Sequence, residues 1–326
     1  METFFITLET VALLLFYIGI GFFLGKKEMV GEKASKTLAV ILTYVIMPLY
    51  SVNSLSKSVT IDNISVYGEL FLAGIVIAAI SIALCIPLSK LFVKKGYSRN
   101  IYKYLLYTPN LGYFGYPLVQ AVFGETALAM YMIFVLPTNI GIHTFGYMIL
   151  TDKSEEADGE IDGKSGARGK DIIKRLFSAP MIGTFVGIAI GLLPITLPQI
   201  VYDFLAPASD SMRLIAMILT GIVLSKLTLK SLFSSKKAYA ISIVRLIIYP
   251  VVFGVIAYLL YRLGVVSGDV FMCTVCLVSL PAGLNVVVFP EAVGMSGKEG
   301  AQACFISYLM VLITLPLVLM ALTALV

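Results

Sequence analysis

In TPNLGYFGYP, residues Thr108–Pro117, two prolines and two glycines interrupt a long apolar segment. A proline inside a helix removes one N–H donor and clashes with the preceding turn, at about 3 kcal/mol. Within a bilayer, such a break is tolerated only where the freed backbone groups are buried in protein or face a water-filled cavity. The stretch is therefore either a packing kink or part of a site.

The composition is that of an integral membrane protein. Hydrophobic residues make up 59% and charged residues 13% of the 326 positions, against an apolar fraction of roughly 45–50% in soluble domains. A single histidine excludes zinc hydrolase motifs. The Cys273–Cys276 pair has no sister pair, which favours buried thiols over a metal or redox site. We expect no cofactor and no nucleic-acid partner.

Ten apolar stretches are long enough to span the roughly 30 Å of a bilayer core. They cover 4–24, 35–56, 66–93, 99–122, 126–151, 176–198, 203–225, 238–262, 269–290 and 301–325. If the N-terminus is outside, every Lys and Arg falls in a cytoplasmic loop except Lys57, Arg213, Arg245 and Arg262. This bias satisfies the positive-inside rule in one topology only. The sequence therefore predicts a multi-pass protein of the plasma (cell inner) membrane with both termini outside.

The hydrophilic segment from Thr151 to Arg175 divides the chain near its midpoint. We therefore expect a first five-helix unit over 1–151, a cytoplasmic linker over 152–175 and a second five-helix unit over 176–326. With an odd number of spans each, two similar halves must insert in opposite orientations. The predicted fold class is an all-α membrane protein made of two inverted repeats.

The fourth span of each half carries a matching break. Its first-half signals are Pro109, Pro117 and Gly124, and its second-half signals are Pro281, Pro290 and Gly294. Two breaks in corresponding positions point to a shared site near the midplane, where half-helix N-termini face an anion or carbonyl groups face a cation. A packing kink remains the alternative, because proline and glycine are frequent in membrane helices.

The stretches NLGYFGYPL (Asn110–Leu118) and LPAGLNVVVFPEAVG (Leu280–Gly294) resemble the crossover motifs of the auxin efflux carrier family. That family includes the plant PIN-FORMED carriers and bacterial malate and malonate permeases. The resemblance implies a crossover domain and a scaffold domain, as in sodium/proton antiporters and bile acid symporters, with broken helices 4 and 9 crossing. It also implies that the substrate's anionic group lies at that crossing. The short linker differs from the long loop of many plant members.

The candidate substrate-binding residues follow from the breaks. They are Asn110, Gly112, Gly115, Pro117, Pro281, Gly283, Asn285 and Arg213. The family's crossover asparagine corresponds to Asn110, whereas Asn285 is added from its position and chemistry. A carboxamide offers two donors and an acceptor, which suits a carboxylate without burying a full charge.

Ionisable residues inside the spans are further candidates. Arg213 is either a bidentate clamp for a carboxylate or a structural residue, and Asp210 is placed to pair with it on the same helix face. Arg245 lies only eight residues from Lys237, so we expect its side chain to extend to the cytoplasmic interface.

Three residues are candidates for a coupling ion or a proton. Gln120 and Glu291 each follow the second proline of a break, where they either take part in ion coupling or face water at a helix end. His143, in the fifth span, is either a proton relay, since imidazole titrates near neutral pH, or a hydrogen-bonded core residue.

The sequence thus predicts a secondary transporter of a small carboxylate, such as malate, malonate or an auxin-like acid, working by alternating access. Sodium or proton coupling stays open, and a homodimer is a possible assembly. The alternative is a membrane receptor that binds a ligand in the same pocket without transporting it. No GxGD, HExxH or GxSxG motif supports an enzyme.

Overall fold

A computed structural model describes residues 2–31, 33–152, 178–193 and 197–325. These residues form helices and connecting turns, and the only β-type pairing among them is an isolated bridge between Pro109 and Ala282. The all-α class is therefore confirmed. The predicted linker 152–175 lies outside the described residues except for Asp152.

Twelve helices can be followed through the described residues. They are α1 (Glu2–Lys26), α2 (Ala34–Ser58), α3 (Ile61–Leu91), α4 (Tyr97–Tyr107), α5 (Leu111–Leu150), α6 (Ala179–Leu192), α7 (Gln199–Ser225), α8 (Leu229–Phe233), α9 (Lys236–Arg262), α10 (Gly268–Val278), α11 (Asn285–Ala292) and α12 (Lys298–Leu325).

Seven of these helices are long and apolar enough to cross a membrane, namely α1, α2, α3, α5, α7, α9 and α12. Helices α6 and α10 are apolar but shorter. The chain is thus a multi-pass membrane protein. The expectation of ten spans in two inverted halves stays a prediction.

Small residues set the closest helix contacts in one part of the fold. Gly183, Gly187 and Gly191 recur at four-residue spacing on α6, and a Cβ added at any of them would press into the backbone of α2. Helix α2 packs against both α6 and α7, and α1 lies along α7 and α12. Because apolar surface alone gives little drive for association in lipid, such close backbone approach is what holds membrane helices together.

A second group of contacts involves α3, α4, α5, α9 and α10 together with α12, which also touches α1. Helix α3 packs on α4 and α5, and α9 packs on α10 and α12. The four cysteines lie in this group as free, buried thiols: Cys85, Cys273, Cys276 and Cys304. This places the Cys273–Cys276 pair in apolar packing.

Two kinds of irregularity interrupt the regular helical backbone. Gly124 has a positive φ of 86° and interrupts α5, and Gly294, just after α11, has a φ of 80°. Wide π turns, with one extra residue per turn, occur in the described chain at Leu42–Ile46, Leu111–Gly115, Ile142–Gly146 and Val244–Ile248. Such turns often mark functional sites.

Candidate functional site

The two helix breaks contact each other. The backbone N–H of Asn110 donates to the carbonyl oxygen of Pro281 over 2.8 Å, beside the bridge between Pro109 and Ala282. Glycine is required at 283, because a Cβ there would lie 2.9 Å from the Pro109 oxygen. Main-chain groups freed by one break are thus paired with main-chain groups freed by the other. This pairing gives them the hydrogen-bond partners that polar groups need within a bilayer.

Four helix ends meet at this crossing. Helices α4 and α10 end there, at Tyr107 and Val278, and α5 and α11 begin there, at Leu111 and Asn285. The first N–H groups of a helix have no acceptor within it. Four such groups are without a partner in the described part of the chain: those of Gly112, Tyr113, Leu284 and Asn285.

A cavity of about 220 Å³ lies against these helix starts. Its other walls come from the first half of α2, the second half of α5 and the start of α6, so it lies toward the side where residues 153–177 leave and rejoin the described chain. The polar side chains among its described lining residues belong to Thr43, Tyr44, Tyr104, Asn110, Tyr113, Asn139, His143, Ser178 and Asn285. That lining contains no Asp, Glu, Lys or Arg, so its polarity comes from neutral groups, helix ends and one imidazole.

Asn110 is fixed at the crossing. Its side chain is 4% exposed, and its amide nitrogen donates to the Tyr308 hydroxyl over 2.6 Å. Its main-chain carbonyl oxygen accepts from the Gly115 N–H over 3.0 Å, so this bond does not use the side chain. Since a carboxamide has two N–H donors and two acceptor lone pairs, part of its capacity is left for a ligand.

Asn285 and His143 line the same cavity. The Asn285 side chain is half-buried and lies near the Tyr104 side chain. His143 lies in the Ile142–Gly146 π turn, and its ring centroid is 6.0 Å from that of Phe289. The structure therefore brings both asparagines and the lone histidine to one cavity.

The predicted glycines and prolines divide into lining and supporting residues. Gly112 and Gly283 line the cavity. Gly115 packs against Leu280, Pro117 is buried at the start of a regular helical turn, and Pro281 supplies the carbonyl of the crossing bond.

Arg213 and Gln120 lie elsewhere, at the second half of α2. The Tyr50 hydroxyl donates to the Gln120 Oε1 over 3.0 Å, and the Gln120 Nε2 donates to the Glu125 Oε1 over 2.6 Å. Arg213 is half-buried beside Tyr50 and is not among the cavity's lining residues. The expected pairing of Arg213 with Asp210 was wrong, because no ion pair joins them.

Glu291 also lies away from the cavity. It forms an ion pair with Lys226 over 2.5 Å. No other ion pair is found among the described residues. The two side chains are 34% and 43% exposed. Glu291 therefore links the end of α11 to the end of α7 near the protein surface.

The expectation that Arg245 reaches the interface was wrong. Its side chain is 3% exposed, and its Nη1 donates to the carbonyl oxygens of Leu105 (3.0 Å) and Leu106 (3.3 Å), in the last turn of α4. Its guanidinium also lies 5.4 Å from the Tyr249 ring centroid. The carbonyls of a broken helix hold it, and such a partner cannot be read from spacing along the chain.

Two further residues at the site had no sequence signal: Tyr104, which lines the cavity, and Tyr308, which accepts from the Asn110 amide. Tyr104 precedes the break by five positions, and Tyr308 lies 198 positions from its partner Asn110. Asn139, one helical turn before His143, also lines the cavity.

A family model described as membrane transport protein matches residues 6–319, nearly the whole chain. A search of curated proteins found no match.

Proposed function

This chain belongs to the membrane transport protein family, the auxin efflux carrier-like group, and on that premise we propose that it is a secondary transporter of small organic anions. The family match confirms the resemblance carried by the two crossover motifs. Members of the family are transporters and not enzymes.

The observation that carries the proposal is the convergence of two helix N-termini on one cavity. Each N-terminus contributes about half a positive charge and several free N–H donors. Asn110 and Asn285 add neutral amides at the same place. A carboxylate is the ligand that such an arrangement suits, because it accepts these donors and no acidic side chain lines the described walls to repel it.

The cavity size favours a small substrate. Its volume of about 220 Å³ is below the roughly 300–1,000 Å³ of pockets for drug-sized ligands. Compact carboxylates such as malonate or malate fit this space better than an auxin-like acid with its bicyclic ring.

The helix pattern supports ten spans. Gly124 separates α5 into two parts, the first of which continues α4 across the break at 108–110. Helices α10 and α11 form the equivalent broken span, which is followed by Gly294. Counting each broken pair once gives ten spans in two groups of five, the arrangement expected of inverted repeats with termini outside and a cytoplasmic linker.

Two polar contacts suit an alternating-access mechanism. Tyr50 on α2 bonds to Gln120 in the distal part of the first broken helix, and Lys226 after α7 pairs with Glu291 in the distal part of the second. The two links lie at opposite ends of the bundle. On this mechanism, opening at either end requires that end's link to break.

For coupling, His143 is the cavity-lining residue with an imidazole side chain, the type of group that titrates near neutral pH. It is therefore the residue through which protons would be coupled. Sodium coupling through Gln120 or Glu291 is the competing arrangement, at the two end links.

The test is uptake by the purified protein in liposomes. Labelled malonate, malate and indole-3-acetate are offered with an imposed proton gradient, a sodium gradient or neither, and empty liposomes are the control. We expect uptake of at least one dicarboxylate. Specific binding without uptake under any gradient would favour the receptor alternative, and neither binding nor uptake would refute the proposal.

A further inference from the structure

Arg245 is a buried cation directly behind the helix crossing. It lines a small second cavity of about 20 Å³ together with Pro109, which is also a wall of the larger cavity. It stands on the Val244–Ile248 π turn, whereas the other three π turns of the described chain all contribute residues to the larger cavity.

No acidic side chain compensates this charge. Among the described residues, no carboxylate lies within ion-pair distance of Arg245, and its Nε has no hydrogen-bond partner. Its contacts are the two carbonyl oxygens at the end of α4 and the ring of Tyr249. Burying an unpaired cation is costly. A neutral amide could also donate to the α4 carbonyl oxygens, so capping this helix end does not explain why the residue is charged.

The charge balance at the crossing supplies a reason. Each helix N-terminus carries about half a positive charge and each C-terminus about half a negative charge. Two ends of each kind meet here, so their contributions roughly cancel. At the end of α10, the Val275 carbonyl receives only neutral donors, from the hydroxyl and backbone N–H of Ser279. Arg245 neutralises the end of α4 and leaves the crossing positive.

We propose that Arg245 is the fixed positive charge that makes the crossover site prefer anions, acting through the field and not by contact with the ligand. The inference rests on the proposed transport function and names a specificity-determining residue of the same site. A unit charge held about 10 Å from a bound carboxylate, at an effective dielectric constant of about 20, changes its affinity on the order of tenfold. The same charge leaves a neutral ligand of equal shape nearly unaffected.

The test compares malonate with malonamide, which has the same skeleton without charge. Binding of both to purified protein in detergent is measured by calorimetry for the wild type, Arg245→Gln and Arg245→Lys. Glutamine keeps an amide donor for the α4 carbonyls and removes the charge, whereas lysine keeps the charge. Size-exclusion profiles and thermal unfolding show whether each variant is folded.

We expect Arg245→Gln to weaken malonate binding about tenfold or more with malonamide binding unchanged, and Arg245→Lys to retain most of the preference for malonate. An equal loss for both ligands would show a structural role only and overturn the inference. An unchanged preference for malonate in Arg245→Gln would also overturn the inference. If Arg245→Gln does not fold, a lost preference in folded Arg245→Lys would overturn it. If the wild type binds none of malonate, malate and indole-3-acetate, the proposed function fails and this inference fails with it.

Discussion

Asn110 contributes to both the helix crossing and the cavity. Its amide holds Tyr308 while its backbone N–H holds Pro281. The backbone bond does not depend on the side chain, so replacing the side chain leaves the crossing bond available. This separation makes the residue a clean target for mutation.

We predict that Asn110→Ala lowers the apparent affinity for a transported carboxylate roughly tenfold or more, since losing a buried amide partner costs about 1–3 kcal/mol. Uptake as a function of substrate concentration measures the effect. Tyr308→Phe removes only the hydroxyl partner, and Asn63→Ala, in the first turn of α3, is the remote control. Equal losses in Asn110→Ala and Tyr308→Phe would reduce Asn110 to a support for the crossing.

The structure places Arg245, and not Arg213, next to the helix crossing. The sequence left Arg213 as either a clamp for a carboxylate or a structural residue, and it placed Arg245 at the cytoplasmic interface. The structure instead buries Arg245 against carbonyls that lie 140 positions away. Spacing along a helix indicates how deep a residue lies in the membrane. It does not indicate which residues contact the side chain, and these contacts determine the role of an arginine.

We predict that Arg213→Gln, unlike Arg245→Gln, leaves the malonate-to-malonamide preference within about twofold, because Arg213 lies beside Tyr50 and outside the cavity lining and its field falls with distance. The same calorimetric comparison measures it. A fall in preference equal to that of Arg245→Gln would return Arg213 to the site.

At the scale of elements, the crossing is held by a close approach at Gly283. A methyl group there would lie 2.9 Å from the Pro109 oxygen and 3.2 Å from its carbon. Neither atom is at the end of a flexible side chain, so the two broken helices would have to shift apart.

We therefore predict that Gly283→Ala destabilises the protein by about 1–3 kcal/mol, as overpacking does, and reduces uptake. Thermal unfolding in detergent and liposome uptake measure the two effects. Gly68→Ala on α3 is the matched control: nothing lies within 4 Å of its added methyl group, and it should be neutral or stabilising by up to about 1 kcal/mol. A Gly283→Ala variant as stable and active as Gly68→Ala would contradict the importance of the approach.

Much of the element pattern was predictable from sequence. The predicted span 35–56 corresponds to α2, Ala34–Ser58, because hydrophobic length is imposed by the bilayer. The break around Pro109 was predictable because proline removes a donor wherever it stands. The Asn110–Pro281 bond and the π turns were not, since both depend on which distant segments pack together.

In the whole molecule, the two end links connect the broken helices to α2 and to the end of α7. Tyr50 belongs to α2 and Lys226 follows α7, whereas Gln120 and Glu291 belong to the broken helices. A transporter that opens alternately at its two ends must break each link once in every cycle.

We predict that covalent closure of either link stops uptake. The pairs Tyr50→Cys with Gln120→Cys, and Lys226→Cys with Glu291→Cys, are bridged by a short bifunctional thiosulfonate, and reductant should restore transport. The native cysteines are 0% exposed and so should not react. Ser98→Cys with Glu299→Cys, a contact of 2.7 Å within one group, is the control, and inhibition there as strong as at the end links would argue against relative movement of the groups.

The bond between the breaks has a consequence for how such proteins diversify. It is made by the N–H of Asn110 and the carbonyl of Pro281, and every residue type supplies that carbonyl. Exchange of the cavity's side chains, such as Asn285 or Asn139, therefore leaves this joint intact. Substitutions of the cavity-lining side chains can therefore change the substrate while the bond between the two helix breaks is kept.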